Sequence, residues 1–245
     1  MKPILNLGHR GFPEEAPENT APAFIKAMEA GAHGIELDVH LSSDGALVVI
    51  HNRTVDKTTD GSGQVSRLTL AELKTLDAGA WFSPEFTGTR ISTLEETIEV
   101  LPKEAFINIE IKSSALTGSA LEQKVSAVIE SYRLFGRVIV SSFNPFSLLR
   151  IKKFNKRIPV GMLYIPILPV LPRFNLINLI KPEALHPYYQ KVNAAYMSQA
   201  RSRGYQVNVW TVNTLTEMEK MLNLGVDGII TNRPDILSQL LRERA

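Results

Sequence analysis

Short apolar runs alternate along the chain with longer stretches whose apolar positions recur every three or four residues. The strand-like runs are Ile4–Leu7, Gly34–Leu41, Leu47–His51, Phe106–Lys112, Val138–Ser141, Val160–Leu163, Gln206–Thr211 and Gly228–Thr231. Between several of them lie helix signals with identifiable starts. Thr20 precedes Phe24, Ala27 and Met28 on one helical face, and Gly31 can close that helix. The pairs Ser119/Glu122, Thr69/Glu72, Thr93/Glu96 and Thr214/Glu217 have capping-box spacing. Asn144 followed by Pro145 reads as an N-cap and the first helical residue.

Strand and helix in alternation predict a parallel sheet with helical crossovers. An eight-stranded closed barrel takes all eight runs, and a doubly wound open sheet is the alternative. Two stretches depart from a regular barrel. Only a Ser42–Gly45 turn separates the second and third runs, which suits an antiparallel hairpin better than a crossover. Residues 52–91 carry helix and turn signals without a clear strand, and read as a small insertion after the third strand. A ninth, weaker run lies near Ala184–His186. The length of 245 residues suits one α/β barrel, so 1–245 is expected to form a single domain with 52–91 inside it.

Composition narrows the chemistry. With 27 Lys and Arg against 25 Asp and Glu, the net charge of +2 gives no field that suggests nucleic acid. The hydrophobic content of 44% and charged content of 21% exclude a disordered chain. No Cys is present, which excludes disulfides, a thiolate nucleophile and thiolate metal sites. Any metal must sit on oxygen or imidazole ligands. The start of the chain has no apolar stretch of signal-peptide length. The apolar region 160–180 is broken by Pro166, Pro169, Pro172 and Arg173, so it does not read as a transmembrane span. The expectation is a cytoplasmic protein with one greasy, Pro-rich loop.

Two strands carry the strongest chemical signal. In GIELDVHL, Ile35, Leu37, Val39 and Leu41 face one way, while Glu36, Asp38 and His40 face the other. In FINIEIK, Ile107, Ile109 and Ile111 oppose Asn108, Glu110 and Lys112. A half-solvated antiparallel sheet would give the same alternation. In a parallel barrel, however, both faces are covered, and the acidic side would point into the interior. Buried carboxylates there need cations beside them. Glu36, Asp38 and Glu110 could therefore share one hard cation, Mg²⁺ or Ca²⁺, with Lys112 alongside.

His9, Arg10 and Gly11 follow the first strand, and His51 follows the run Val48-Val49-Ile50. Active sites of α/β barrels lie at the carboxyl ends of strands. Imidazoles at two such ends could act as general base and general acid, and Arg10 could hold a phosphate. His33, His40 and His186 read as structural or surface residues.

The blocks HRGFPEEAPENTAPAF, GIELDVHLSSDGALVVIH, NIEIK, WTVN and GVDGIITNRP occur in order from His9 to Pro234. Together they resemble the glycerophosphodiester phosphodiesterase family. The resemblance implies a TIM-type (β/α)8 barrel with an insertion after the second catalytic His. It implies metal-dependent hydrolysis of glycerophosphodiesters to glycerol 3-phosphate and an alcohol. His9 and His51 would be the acid/base pair, and Glu36, Asp38 and Glu110 the ligands of one divalent cation. Arg10 and Lys112 would meet the phosphate, and Trp210 would line the glycerol or head-group end. Asn52 stands where the family usually has Asp after the second His, and Asn232 stands where Asp is common after the Thr. Activity is expected to survive Asn52 with a shifted pH optimum, and neither change removes a proposed ligand or proton carrier. The 160–180 stretch raises an alternative, a lysophospholipase D that touches a membrane surface peripherally. A catalytically idle barrel that serves as a binding protein is a third reading.

Overall fold

The computed structural model describes residues 4–113, 120–164 and 177–244. Eight parallel strands close into a ring. In chain order the strands are β1 (Leu5–His9), β2 (Gly34–Leu41), β3 (Leu47–Val49), β4 (Phe106–Ile111), β5 (Val138–Ser142), β6 (Val160–Tyr164), β7 (Ala184–Pro187), β8 (Gln206–Val209) and β9 (Gly228–Thr231). Their order is β1-β9-β8-β7-β6-β5-β4-β2, and the β1–β2 pairing closes it. This is a TIM barrel. The helices are α1 (Ala21–Glu29), α2 (Leu70–Thr75), α3 (Leu94–Val100), α4 (Ala120–Ser131), α5 (Pro145–Phe154), α6 (Ala194–Ser202), α7 (Leu215–Leu224) and α8 (Pro234–Glu243).

Membership of the ring differs from the run count. The third apolar run is not a ring strand: β3 pairs antiparallel with β2, Val49 opposite Val39 and Leu47 opposite Leu41, and on its other edge makes one antiparallel bridge, Val48 to Thr93. The weak ninth run takes its place, because β7 lies parallel between β6 and β8. A four-residue turn can reverse the chain but cannot return it parallel. The apolarity of β3 reflects what covers it. Val49 N–H donates to the Ser92 carbonyl, while Val48 and Ile50 pack with Val55, Val65, Leu73, Ala78 and Ile91 in a small second core. That core is the interior of the 52–91 insertion.

The alternation in β2 and β4 does what it predicts for a closed sheet. Ile35, Leu37, Val39, Ile107, Ile109 and Ile111 lie in the main core between sheet and helices. Glu36, Asp38, Asn108 and Glu110 take the other face and are buried inside the ring. The helix starts are mostly as read. Thr69 and Thr93 form complete capping boxes, and Asn144 caps α5 through the Phe146 N–H. Thr20 precedes α1 but makes no side-chain cap; its hydroxyl donates to the Pro17 carbonyl instead. Ser119 falls outside the described residues.

One interior group reports on the packing. His186 on β7 is fully buried, with Nε2 3.1 Å from Asn208 Nδ2. A Cβ on residue 161 would come within 2.5 Å of that nitrogen, so Gly161 makes the room for the ring. Burial pushes the His186 pKa from 6.5 to about 3. Between those values the unfolded chain binds a proton that the native state refuses, so stability falls as pH drops through the window. This one group should cost about 2 kcal/mol between pH 6.5 and 4.5. Urea melts of His186→Gln across that range should show a correspondingly flatter acid limb. An unchanged slope would mean that His186 titrates normally.

Candidate active site

The site forms at the carboxyl ends of the ring strands, where β1, β2, β4 and β8 deliver their last residues. His9 ends β1, and the chain then turns through two left-handed residues, Arg10 (φ 55°) and Gly11 (φ 91°). A side chain at Gly11 would run into the Ala23 backbone at 2.6 Å. The turn aims the Arg10 backbone N–H at Glu36 Oε2, 3.1 Å away. The guanidinium reaches Glu18 Oε1 at 2.9 Å and Asp38 Oδ2 at 3.5 Å. A non-glycine residue held in that conformation is strained, and these contacts hold it there.

Glu36, Asp38 and Glu110 converge inside the ring. Asp38 and Glu110 are register partners across β2 and β4. All three are buried, and each offers an oxygen within 4.8 Å of the others. Their charges are answered unequally. Asp38 accepts from Asn19 Nδ2 at 2.8 Å and from Lys112 Nζ at 2.9 Å, and its own N–H donates to Asn19 Oδ1. Burial alone would raise its pKa, but Lys112 and Arg10 hold it at about 2. Burial and the charge of Asp38 push Glu110 up to about 7, against the pull of Lys112 2.5 Å away. Burial, Asp38 and Glu110 likewise raise Glu36 well above the usual carboxylate range. Three carboxylates against two cations leave an excess of negative charge in a buried place. Hard oxygen donors with that imbalance fit a divalent cation, and the group could hold one.

The two imidazoles are oriented alike. His9 Nδ1 lies 2.7 Å from Asn232 Oδ1, and His51 Nδ1 lies 2.9 Å from Asn52 Oδ1. A carboxamide oxygen only accepts, so each Nδ1 carries the hydrogen and each Nε2 keeps its lone pair. Burial, reinforced by Arg10, lowers the His9 pKa to about 4. Burial lowers His51 as well. Both rings are thus neutral near pH 7. His51 is further fixed by His40, whose Nε2–H donates to the His51 carbonyl at 3.1 Å.

His9, Arg10, Glu36, His51, Glu110, Lys112 and Trp210 line one cavity of ≈ 120 Å³, and Asp38 is bonded to it through Lys112 and Arg10. The residues read from the sequence as a site are therefore brought together. Trp210 anchors its indole N–H on the His186 carbonyl at 2.7 Å. Phe143 stands edge-on to it at 5.5 Å, and Tyr188 packs at 5.6 Å. A second lobe of ≈ 330 Å³ shares His51, Glu110, Lys112 and Phe143 with it and is lined further by His40, Asn52, Arg53 and Ser142. The Trp81–Phe82 pair lines neither lobe; it stacks edge-on within the insertion, with Phe82 against Phe86. Most of the Pro-rich 160–180 stretch lies outside the described residues, including all of 165–176. Among the described residues no helix is long and apolar enough to cross a membrane.

Sequence reading missed several contributors. Asn19, Asn232, Asn108, Glu18 and Phe143 all touch the site or its ligand set. The signal for Asn19 and Glu18 was present in the motif PENT, whose polar residues Glu18, Asn19 and Thr20 lead directly into α1.

A barrel with a buried carboxylate cluster and two neutral imidazoles at its mouth has the layout of a hydrolytic enzyme for anionic esters. The profile of the Glycerophosphoryl diester phosphodiesterase family matches residues 9–236. The chain belongs to that family. It is 42% identical over 244 residues to a glycerophosphodiester phosphodiesterase of Caldanaerobacter subterraneus subsp. tengcongensis, covering 99% of each chain. Among solved structures it resembles a phosphodiesterase of Oleispira antarctica in complex with the product sn-glycerol-3-phosphate (TM-score 0.85, 30% identity, 98% and 97% of the two chains). It also resembles the glycerophosphodiester phosphodiesterase of Thermotoga maritima (TM-score 0.77, 30% identity, 97% and 98%).

Proposed function

We propose that this protein hydrolyses glycerophosphodiesters to glycerol 3-phosphate and an alcohol, with a divalent cation, Mg²⁺ or Ca²⁺, held by Glu36, Asp38 and Glu110. The observation that carries this reading is the convergence on one small cavity of three buried carboxylates, two cationic side chains and two imidazoles with free Nε2 lone pairs. When bound, the cation neutralises phosphate charge as a Lewis acid. The chain's own groups do the rest. Arg10 and Lys112 reach the same cavity and add positive charge where the transition state becomes more negative. One imidazole takes a proton at Nε2 from the attacking hydroxyl, either water or the substrate's adjacent glycerol hydroxyl. The other, once it has taken a proton at Nε2 and become an imidazolium, delivers that proton to the departing alkoxide. Asn52 and Asn232 hold the hydrogen on Nδ1 of each ring, which leaves Nε2 as the atom that takes up and gives back the proton. Trp210 and Phe143 form an apolar wall against which the carbon skeleton of the glycerol or the head group can lie.

The test is release of glycerol 3-phosphate from glycerophosphoglycerol and glycerophosphocholine, with and without a chelator. Turnover should vanish on chelation and return with added Mg²⁺ or Ca²⁺. If no glycerophosphodiester gives chelator-sensitive turnover, the idle-barrel reading replaces this one.

A further inference from the structure

We propose that Asn108 is a fourth oxygen donor of the cation site, meeting the ion or its hydration water from the floor of the barrel. The inference rests on reading Glu36, Asp38 and Glu110 as ligands of a divalent cation. Asn108 sits on β4 at 1% exposure, and neither its Oδ1 nor its Nδ2 has a hydrogen-bond partner among the described residues. Buried carboxamides are almost always bonded, so one with both ends open marks a place that something else completes. Asn108 is the register partner of Glu36 across β2 and β4, and Glu110 follows two residues on along the same face. It lines the cavity that holds Glu36, Glu110 and His9.

Its neighbours narrow what can complete it. Ionised around a bound cation, the carboxylates of Glu36 and Glu110 can accept from Nδ2 but have no hydrogen to give Oδ1. In the loaded site that oxygen is left for the cation or a water beside it. Hard divalent cations take six or more oxygens, so three carboxylates and a substrate arriving from the mouth leave places on the inner side. A neutral donor fills such a place without adding charge to a cluster that already exceeds its counter-ions. Ser141 Oγ, Asn208 Oδ1 and His186 Nδ1 are also buried without partners, but these residues are not among those lining this cavity. Asn108 differs from them by lining the same cavity as Glu36 and Glu110.

The experiment is calorimetric titration of the full chain with Mg²⁺ and with Ca²⁺, for wild type, Asn108→Leu and Asn108→Asp, beside thermal melts in chelator. Leucine matches the volume and removes both polar atoms. Asn108→Leu should bind the ion about 10–100-fold more weakly, the loss typical of groups that support a metal site. In chelator it should melt no lower than wild type, because an unbonded carboxamide has been replaced by an apolar side chain. Asn108→Asp keeps an oxygen donor and should bind at least as tightly as wild type. If wild type binds and Asn108→Leu gives the same isotherm, the inference is overturned while the cation site stands. If Asn108→Leu does not fold, Asn108→Asp decides, and weaker binding there overturns the inference. Wild type that binds neither ion removes both the inference and the reading beneath it.

Discussion

Turnover of glycerophosphodiesters should fall by about 10²–10⁴-fold in His51→Ala, and by a similar factor in His9→Ala. The two rings reach the cavity from different segments, the end of β1 and the residues just after β3, yet each is prepared in the same way. A carboxamide oxygen takes the Nδ1 hydrogen, and burial keeps the ring neutral, so the Nε2 lone pair is available at neutral pH. Neither ring belongs to the main core or to the core of the insertion. Removing His51 should therefore leave thermal stability within about 1 kcal/mol of wild type, as for surface substitutions away from packed sites. Proton removal and proton delivery belong to one reaction, so the double variant should lose far less than the product of the two single losses. Steady-state release of glycerol 3-phosphate from the single and double variants measures this. A folded His51→Ala that retains wild-type turnover would take His51 out of the mechanism.

Much of this site was legible because it is written on strand faces. The period-two alternation in GIELDVHL and FINIEIK placed Glu36, Asp38 and Glu110 on faces that, in a parallel barrel, point inward. Positions just after apolar runs placed His9 and His51 at strand ends. What stayed hidden depends on pairing between distant segments. Asn232 reaches His9 across 223 positions, and Asn19 reaches Asp38 across 19. No local period encodes either contact. Ring membership was left open for a related reason. Apolarity records that a segment is covered, not by what, and β3 is covered by the insertion and α3 rather than by a neighbour on each side. β7 showed only as the weak ninth run, because His186 and Pro187 interrupt its apolarity, although its partners β6 and β8 fix it in the ring.

The carboxylate cluster yields a second large effect with a diagnostic sign. Glu110→Gln and Asp38→Asn should each lower turnover by at least about 100-fold, more than loss of a supporting group around a metal. Their effects on the fold in chelator should be opposite. Glu110 is buried beside Asp38 and held at about 7, so its charge is poorly accommodated when no cation joins the cluster. Glutamine removes that repulsion, and the chelated protein should gain about 1 kcal/mol at pH 8. Asp38 is the carboxylate that the structure serves best, with a hydrogen bond from Asn19 Nδ2, Lys112 at 2.9 Å and the Arg10 guanidinium at 3.5 Å. Asparagine there leaves Arg10 and Lys112 short of a buried counter-charge, which should destabilise the chelated protein by about 2–3 kcal/mol. Denaturant melts in chelator, beside ion-dependent turnover, read both signs. A Glu110→Gln protein that is less stable than wild type yet keeps chelator-sensitive turnover would make Glu110 a counter-ion for Lys112 rather than a ligand. Opposite stability signs with a shared loss of turnover would instead mark a cluster whose excess negative charge is kept, against the stability of the empty fold, for the cation it holds.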